Sequence, residues 1–424
     1  MALLTLSFVI LMAIGLPVAL TLAGSSFLFV LDQGTMPWVA VMHRMVSGID
    51  SFPLLAIPFF VMAGSLMNSS GITERLYAFA VAVVGWMRGG LGQVNIVGSV
   101  IFAGMSGTAV ADAAGLGMIE IKAMKEHGYS AEFAVGVSAA SSLLGPILPP
   151  SLPLVIYGVT ANASIGQLFA AGIIPGLILA ASLMIMVAVY ARIYDLPRDA
   201  RFSPINMLYA FRRAFLPLML PVLLIGGMRI GAFTPTEGAV AACAYALFLG
   251  TVVYRTLSLK AFVKVSIETI EVSAVILLIL AGSEIFGWLI TTTRISDQIA
   301  DMVYAVSQQR WVILLLLNVV LLLLGLALEP VPLILILTPV LMPLIERIGV
   351  DPIHFGMIMV INLMIGLLTP PVGIVTMILG RIAGITFQQA SRAVLPFMVP
   401  LFVTLGLVTF WPEMVLYLPT LWYR

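Results

Sequence analysis

SSLLGPILPPS (141–151) and NLMIGLLTPPV (362–372) lie 221 residues apart, and each sets a glycine and a proline pair inside an apolar run. Superposing them places Gly145 on Gly366 and Pro149–Pro150 on Pro370–Pro371. The same offset, without a gap, aligns Gly104 with Gly325, Gly128 with Gly349, Gln167 with Gln388 and Pro175 with Pro396. Total identity at this offset is close to what such a biased composition gives by chance. The weight rests on where the matches fall, mostly at glycine and proline, the residues that set backbone shape. Independently placed proline kinks are the plain alternative.

The surroundings identify the solvent. Hydrophobic residues make up 61% of the chain and charged residues 9%, against roughly 25% charged in a globular protein, so the chain belongs in a bilayer. Its 424 residues therefore count membrane spans, at about 20 residues each, rather than soluble domains. The single cysteine, Cys243, excludes an intrachain disulfide framework. The opening MALLTLSFVILMAIGLPVAL lacks a basic leader and a small-residue cleavage site, and reads as a first span rather than a removable signal. No Walker sequence is present, which argues against ATP hydrolysis. His43, His127 and His354 fall in predicted loops, facing solvent or the interface, without metal-ligand spacing. No acid–base or nucleophile set stands out, so the expectation is a protein that is not an enzyme and carries no cofactor.

Apolar runs fall at roughly 3–30, 53–67, 76–87, 94–121, 131–161, 168–190, 214–228, 237–254, 272–292, 311–345, 355–384 and 393–419. Segment 191–213 carries five arginines against two aspartates, which the positive-inside rule places in the cytoplasm. Counting outward from it puts Arg255 to Lys264, and Lys122, Lys125 and His127, on the same side. The run 311–345, with EPVP in its middle, is too long for one crossing of about 30 Å and reads as a hairpin opening outward. Run 94–121 reads as a hairpin opening to the cytoplasm, and both termini come out periplasmic. The expected fold is an all-α polytopic membrane protein of two inverted repeats. Residues 1–190 hold scaffold helices, a hairpin at about 94–121 and a broken helix at about 131–161. Residues 191–213 are a basic cytoplasmic linker. Residues 214–424 hold scaffold helices, a hairpin at about 311–345 and a broken helix at about 355–384. Inverted repeats with matching interruptions mark a secondary transporter, with its site near the midplane at the breaks.

GPILPP cannot remain an uninterrupted helix, because each proline removes a donor and clashes with the preceding turn. Irregular backbone at membrane depth is tolerated only where protein covers it or it lines a cavity. Carbonyls near Gly145, Pro146 and Leu148, and near Gly366 and Leu368, are thereby freed. Carbonyl and hydroxyl oxygens suit a hard cation, and the helix N-termini after the breaks suit an anion. Coupled transport of an organic anion with Na⁺ requires both. Each hairpin tip is expected to face the break of its own repeat. Gly104, Ser106, Gly107 and Thr108 form the first tip; Glu329 with Pro330 forms the second, facing Gly366 and Thr369. Serine and threonine also simply back-bond within membrane helices. Four acidic residues sit in apolar surroundings, where they default to functional candidates. Asp112 is balanced between capping the returning helix and a site role. Glu237, after TPT at a span start, reads as a cap. Glu284 shows no partner in sequence, and Glu329 lies at the turn.

Taken together and in order, AGMSGTAVADAAGLG (103–117), SSLLGPILPPSLPLVIYG (141–158), FTPTEGA (233–239), LEPVPLILILTPVLMP (328–343) and LLTPPVG (367–373) resemble the large membrane subunit of tripartite ATP-independent periplasmic (TRAP) transporters. The resemblance covers essentially the whole chain. It implies an elevator-type transporter of the bacterial inner membrane that imports an organic acid on a Na⁺ gradient. Its implied partners are a small four-helix membrane subunit and a soluble periplasmic substrate-binding protein. Because the chain begins straight at the large subunit, the small one is expected to be a separate protein. The resemblance places Na⁺ at Ser106 and the carbonyls around Gly145, Pro146 and Leu148, and at Glu329, Gly366 and Thr369. The substrate candidates are Gly107, Thr108, Asp112, Pro150, Asn362 and Pro371. The family more commonly has Asp and Ser where this chain has Glu329 and Thr108. A stand-alone Na⁺-coupled dicarboxylate or citrate transporter is the alternative within the class. A channel or a non-transporting scaffold is the alternative outside it, against which the broken helices argue.

Overall fold

The computed structural model describes residues 2–34 and 37–423; the side chains of Ala2 and Ser106 lie outside the described set. The described chain is helical throughout, with no strand. Among the described residues, seven helices are long and apolar enough to cross a membrane, or nine if two sharply bent pairs each count as one.

The first apolar run is two helices, not the single span expected. Gly15, at φ +91°, and Pro17 separate α1 (Ala2–Ala13) from α2 (Val18–Gln33). Gly24 of α2 lies under the Leu11 side chain, so α1 folds back along α2. Next come α3 (Val39–Ile49), a short turn and α4 (Ala56–Ser69).

α5 (Ile72–Val84) holds most of the apolar run at 76–87, yet it does not cross the bilayer. Just before α5, the Thr256 hydroxyl donates to the Ser70 carbonyl at 2.8 Å, and in its first turn Arg75 stacks 3.9 Å from the Tyr254 ring. Just beyond its end, Ala200 N–H donates to the Gly85 carbonyl at 3.1 Å and Gly89 N–H to the Pro197 carbonyl at 2.9 Å. Both ends therefore meet the two basic segments that charge assigns to one side. With 13 residues, α5 spans about 20 Å, short for a crossing, and it lies along that face.

The first hairpin follows as α6 (Gly90–Ser106), α7 (Ala109–Ala114) and α8 (Leu116–Glu126). Gly107 makes the reversal at φ +63°, which costs a glycine little, and Thr108 caps α7 by accepting from Ala111 N–H at 3.2 Å. The broken helix is α9 (Ala131–Ser142), α10 (Leu144–Ile147) and α11 (Leu152–Thr160), bent by 42°. Its Pro149–Pro150 bond is cis, as is Pro370–Pro371. α12 (Ile165–Ile193) leads to the basic linker, then α13 (Pro204–Arg229), α14 (Pro235–Phe248) and the long α15 (Leu259–Thr292).

The same order then recurs: an amphipathic helix, a hairpin, a broken helix. α16 (Ile295–Val306) turns 119° into α17 (Arg310–Gly325), and α18 (Pro330–Arg347) returns. α19 (Pro352–Gly366) breaks at LLTPPVG before α20 (Ile374–Ala383). α21 (Phe387–Val394) and α22 (Met398–Phe410) follow. α9 and α19 pack against the other unit's α20, α21 and α12, while α2, α3, α4, α14 and α15 pack on one another. Residues 133–142 and 353–366 are buried without interruption. That burial on all sides explains why both stretches are apolar or small all round rather than amphipathic.

Candidate functional site

Each hairpin tip meets the break of the helix that follows it, and glycine makes both meetings possible. At the first, Leu152 N–H donates to the Gly107 carbonyl at 3.1 Å. A Cβ on Gly107 would sit 2.7 Å from the Pro150 carbonyl oxygen, and one on Gly145 would sit 3.2 Å from that of Thr108. At the second, a Cβ on Gly366 would sit 2.3 Å from the Gly325 carbonyl oxygen. At each contact a backbone carbonyl oxygen thus lies against a glycine Cα where no side chain fits.

Their hydrogen bonds show what remains available. The Ser151 hydroxyl donates to the Pro146 carbonyl at 2.5 Å and accepts from Leu154 N–H at 3.3 Å, capping α11. Thr369 Oγ1 donates to the Gly366 carbonyl at 3.1 Å, and Thr376 Oγ1 to that of Leu368 at 2.9 Å. Each such carbonyl keeps a second lone pair. Gly145, Pro146, Leu148 and Pro150 are buried, whereas Thr369 is half-buried and Glu329 and Pro371 are exposed. The first contact is closed over and the second is open. Glu329 is the N-cap of α18 but makes no side-chain capping bond, which leaves its carboxylate free to turn toward a ligand. The Ser106 side chain lies outside the described residues.

Other residues resolve differently. Asp112 does not cap the returning helix, because Thr108 does; its carboxylate is buried with both oxygens unpartnered. Asn362 is fully buried, and its Nδ2 donates to the Asn318 carbonyl and to Asn318 Oδ1 at 3.1 and 2.6 Å, while Asn318 Nδ2 donates to Thr409 Oγ1 at 3.0 Å. It ties α19 to α17 and α22. Glu237 is a cap as expected, since its carboxylate accepts from Thr234 N–H at 2.8 Å within a capping box. Glu284 is exposed, and its stem lies over Gly48 of α3, where a Cβ would come within 2.5 Å of it. His354 is not in a loop: it is buried in α19 with Nε2 2.7 Å from the Val408 carbonyl. His43 also lies in a helix, while His127 ends one at an exposed position. Glu120, hydrogen-bonded to Asn95 at 2.5 Å, escaped sequence reading because it ends an otherwise apolar run; a carboxylate there was the available signal.

Residues 5–414 match the family described as tripartite ATP-independent periplasmic transporter, DctM component. The chain belongs to that family. It is 45% identical over 410 residues to the sialic acid TRAP transporter large permease protein SiaM of Vibrio cholerae, covering 96% of this chain and 95% of the relative. It is 37% identical to the 2,3-diketo-L-gulonate TRAP transporter large permease protein YiaN of Escherichia coli, covering 97% and 96%. Among solved structures, the Alcanivorax borkumensis YdaH transporter, described as having an unusual topology, matches with a TM-score of 0.64 at 14% identity, over 89% of this chain and 88% of that one. That likeness concerns the fold. As a TRAP large permease with many apolar helices, the chain is a multi-pass protein of the bacterial inner membrane.

Proposed function

We propose that this permease imports an organic acid by Na⁺-coupled elevator transport, with Na⁺ held at the two tip–break contacts. The carrying observation is the close backbone approach at Gly107 with Pro150 and at Gly325 with Gly366. The glycines let backbone carbonyl oxygens of tip and break come close together, and oxygens of that kind suit a hard cation. The first ion lies among Ser106, Gly145, Pro146 and Leu148, and the second among Glu329, Gly366 and Thr369. Two sites at corresponding places follow from two repeats inserted in opposite senses, with both termini periplasmic. The amphipathic helices α5 and α16 join the hairpins to the scaffold, where an elevator needs levers. The substrate carboxylate sits between Thr108 and Pro150 on one side and Pro371 on the other. Relatives named for sialic acid and for diketogulonate share carboxylate chemistry, which supports an organic acid as cargo. A periplasmic binding protein delivers it, and a small four-helix subunit completes the membrane complex.

Reconstitution into proteoliposomes tests the proposal. Uptake should require the small subunit, the binding protein and an inward Na⁺ gradient. Uptake by this chain alone would remove the tripartite reading, and uptake indifferent to collapse of the Na⁺ gradient would remove coupling.

A further inference from the structure

Ser141 and Asn362 hold the same place in the two broken helices, 221 residues apart and each four residues before the glycine of its break. Residues four apart on a helix lie one above the other on one face, so each side chain stands one turn from Gly145 or Gly366. Both are buried at 0% exposure, and both reach across to an asparagine on the first arm of their own hairpin. The Ser141 hydroxyl donates to Asn95 Oδ1 of α6 at 2.6 Å and accepts from Ser99 of α6 at 3.2 Å. Asn362 Nδ2 donates to Asn318 Oδ1 of α17 at 2.6 Å and to the Asn318 carbonyl at 3.1 Å. Asn95 and Asn318 lie 223 residues apart, so the helix pair and the place on the broken helix recur, while the partner shifts slightly along its arm. Each asparagine is tied further. Asn95 Nδ2 donates to Ser138 Oγ of α9 at 2.6 Å and to Glu120 Oε2 of α8 at 2.5 Å, which brings in the returning arm. Asn318 Nδ2 donates to Thr409 Oγ1 of α22 at 3.0 Å.

Stability alone does not call for these bonds. Around them α9 and α19 pack mostly through apolar or small side chains, and replacing both partners of a buried hydrogen bond by apolar groups of the same shape is nearly neutral. Asn362 even carries a cost, because its Oδ1 is buried without a donor. What a directional bond adds over apolar contact is register, since donor and acceptor must meet at about 3 Å whereas apolar surfaces slide. Register matters one turn further on. A Cβ on Gly325 of α17 would sit 3.6 Å from the Cα atoms of both Leu363 and Gly366, so the two helices joined by Asn318 and Asn362 are the ones that meet at the second tip–break contact. In the first repeat, α6 runs on from Asn95 and Ser99 to the Gly107 tip, which lies against Pro150.

We propose that Ser141 and Asn362 are positioning residues for the two ion contacts, a role that rests on the Na⁺ reading above and deepens it. Their bonds to the hairpin arms set the register in which tip and break oxygens come within reach of one cation. Neither side chain touches the ion; each acts through the carbonyls of the following turn.

Na⁺-dependent stabilisation of the purified full chain tests this, with the melting temperature followed against NaCl and choline chloride holding the ionic strength constant. Na⁺ should raise the melting temperature of the wild type; if it does not, the Na⁺ reading itself falls and this role with it. Ser141→Ala and Asn362→Leu should each raise the half-saturating Na⁺ concentration about fivefold or more, the factor that one hydrogen bond supplies. Ser141→Thr, which keeps the hydroxyl, should raise it less than Ser141→Ala. Ser142→Ala is the control, because Ser142 is also buried but donates only to the Ala139 carbonyl of its own helix at 2.8 Å. Ser141→Ala, the smaller change, decides alone if Asn362→Leu does not fold. Variants that melt lower without Na⁺ yet keep wild-type half-saturation have lost packing alone; they overturn the proposal while the Na⁺ reading stands. An equal rise in Ser142→Ala overturns it as well.

Discussion

Gly366→Ala isolates the tip–break contact. Gly366 is helical, without the positive φ that would make any side chain strained, so the added methyl acts only through its neighbours. Those neighbours are backbone: the Gly325 carbonyl oxygen at 2.3 Å, its carbon at 2.5 Å and its Cα at 2.9 Å. Restoring ordinary contact of about 3.5 Å pushes the end of α17 away by about 1 Å. Overpacking of this kind costs about 1–3 kcal/mol, and 1.4 kcal/mol is tenfold in an equilibrium constant. If carbonyls on both sides hold the ion, the Na⁺ concentration for half-maximal uptake should rise by about tenfold or more. Uptake in proteoliposomes with both partner proteins, measured across a Na⁺ series, reads this directly. Gly406→Ala is the control, since nothing lies within 4 Å of its would-be Cβ; it should leave Na⁺ activation unchanged and gain a little helix stability. Wild-type Na⁺ activation in a well-folded Gly366→Ala permease would refute the ion contact.

Further measurements address other parts of the argument. Ser106→Ala and Thr369→Val should weaken the Na⁺ dependence of uptake while membrane insertion stays normal by detergent-resistant expression; unaltered activation in both removes them from the ion contacts. Ser151→Ala loses a cap and leaves the buried Pro146 carbonyl without its 2.5 Å donor, and should lower stability by about 1–3 kcal/mol in a thermal-shift assay. Asn318→Leu removes the 2.6 Å side-chain partner of the buried Asn362 amide, leaving it the Asn318 backbone carbonyl alone, and should cost about 1 kcal/mol. For α5, cysteines placed at the exposed positions Glu74 and Arg88 in a Cys243→Ser background should both react with an impermeant maleimide added from the same side; labelling from opposite sides would restore a crossing.

The sequence by itself determined the solvent, the two breaks, the two hairpins and the cap at Glu237. Each is a local consequence of residue type: apolar composition demands lipid, proline pairs end a helix wherever they stand, and a threonine three residues before a glutamate closes a capping box. Glycines at 107, 145, 325 and 366 were visible as interruptions, although what they approach was not. Tertiary structure alone decided the rest. A 13-residue helix such as α5 is one more apolar run in the sequence, and only Tyr254 and Pro197 at its two ends put it on one face. His354 reads as a loop residue until α22 buries it. Asp112 and Glu120 carry no special spacing, and only the folding of α7 and α8 against α6 buries them both. Side-chain burial and long-range partners depend on which faces pack. Periodicity cannot report that in a chain apolar on nearly every face.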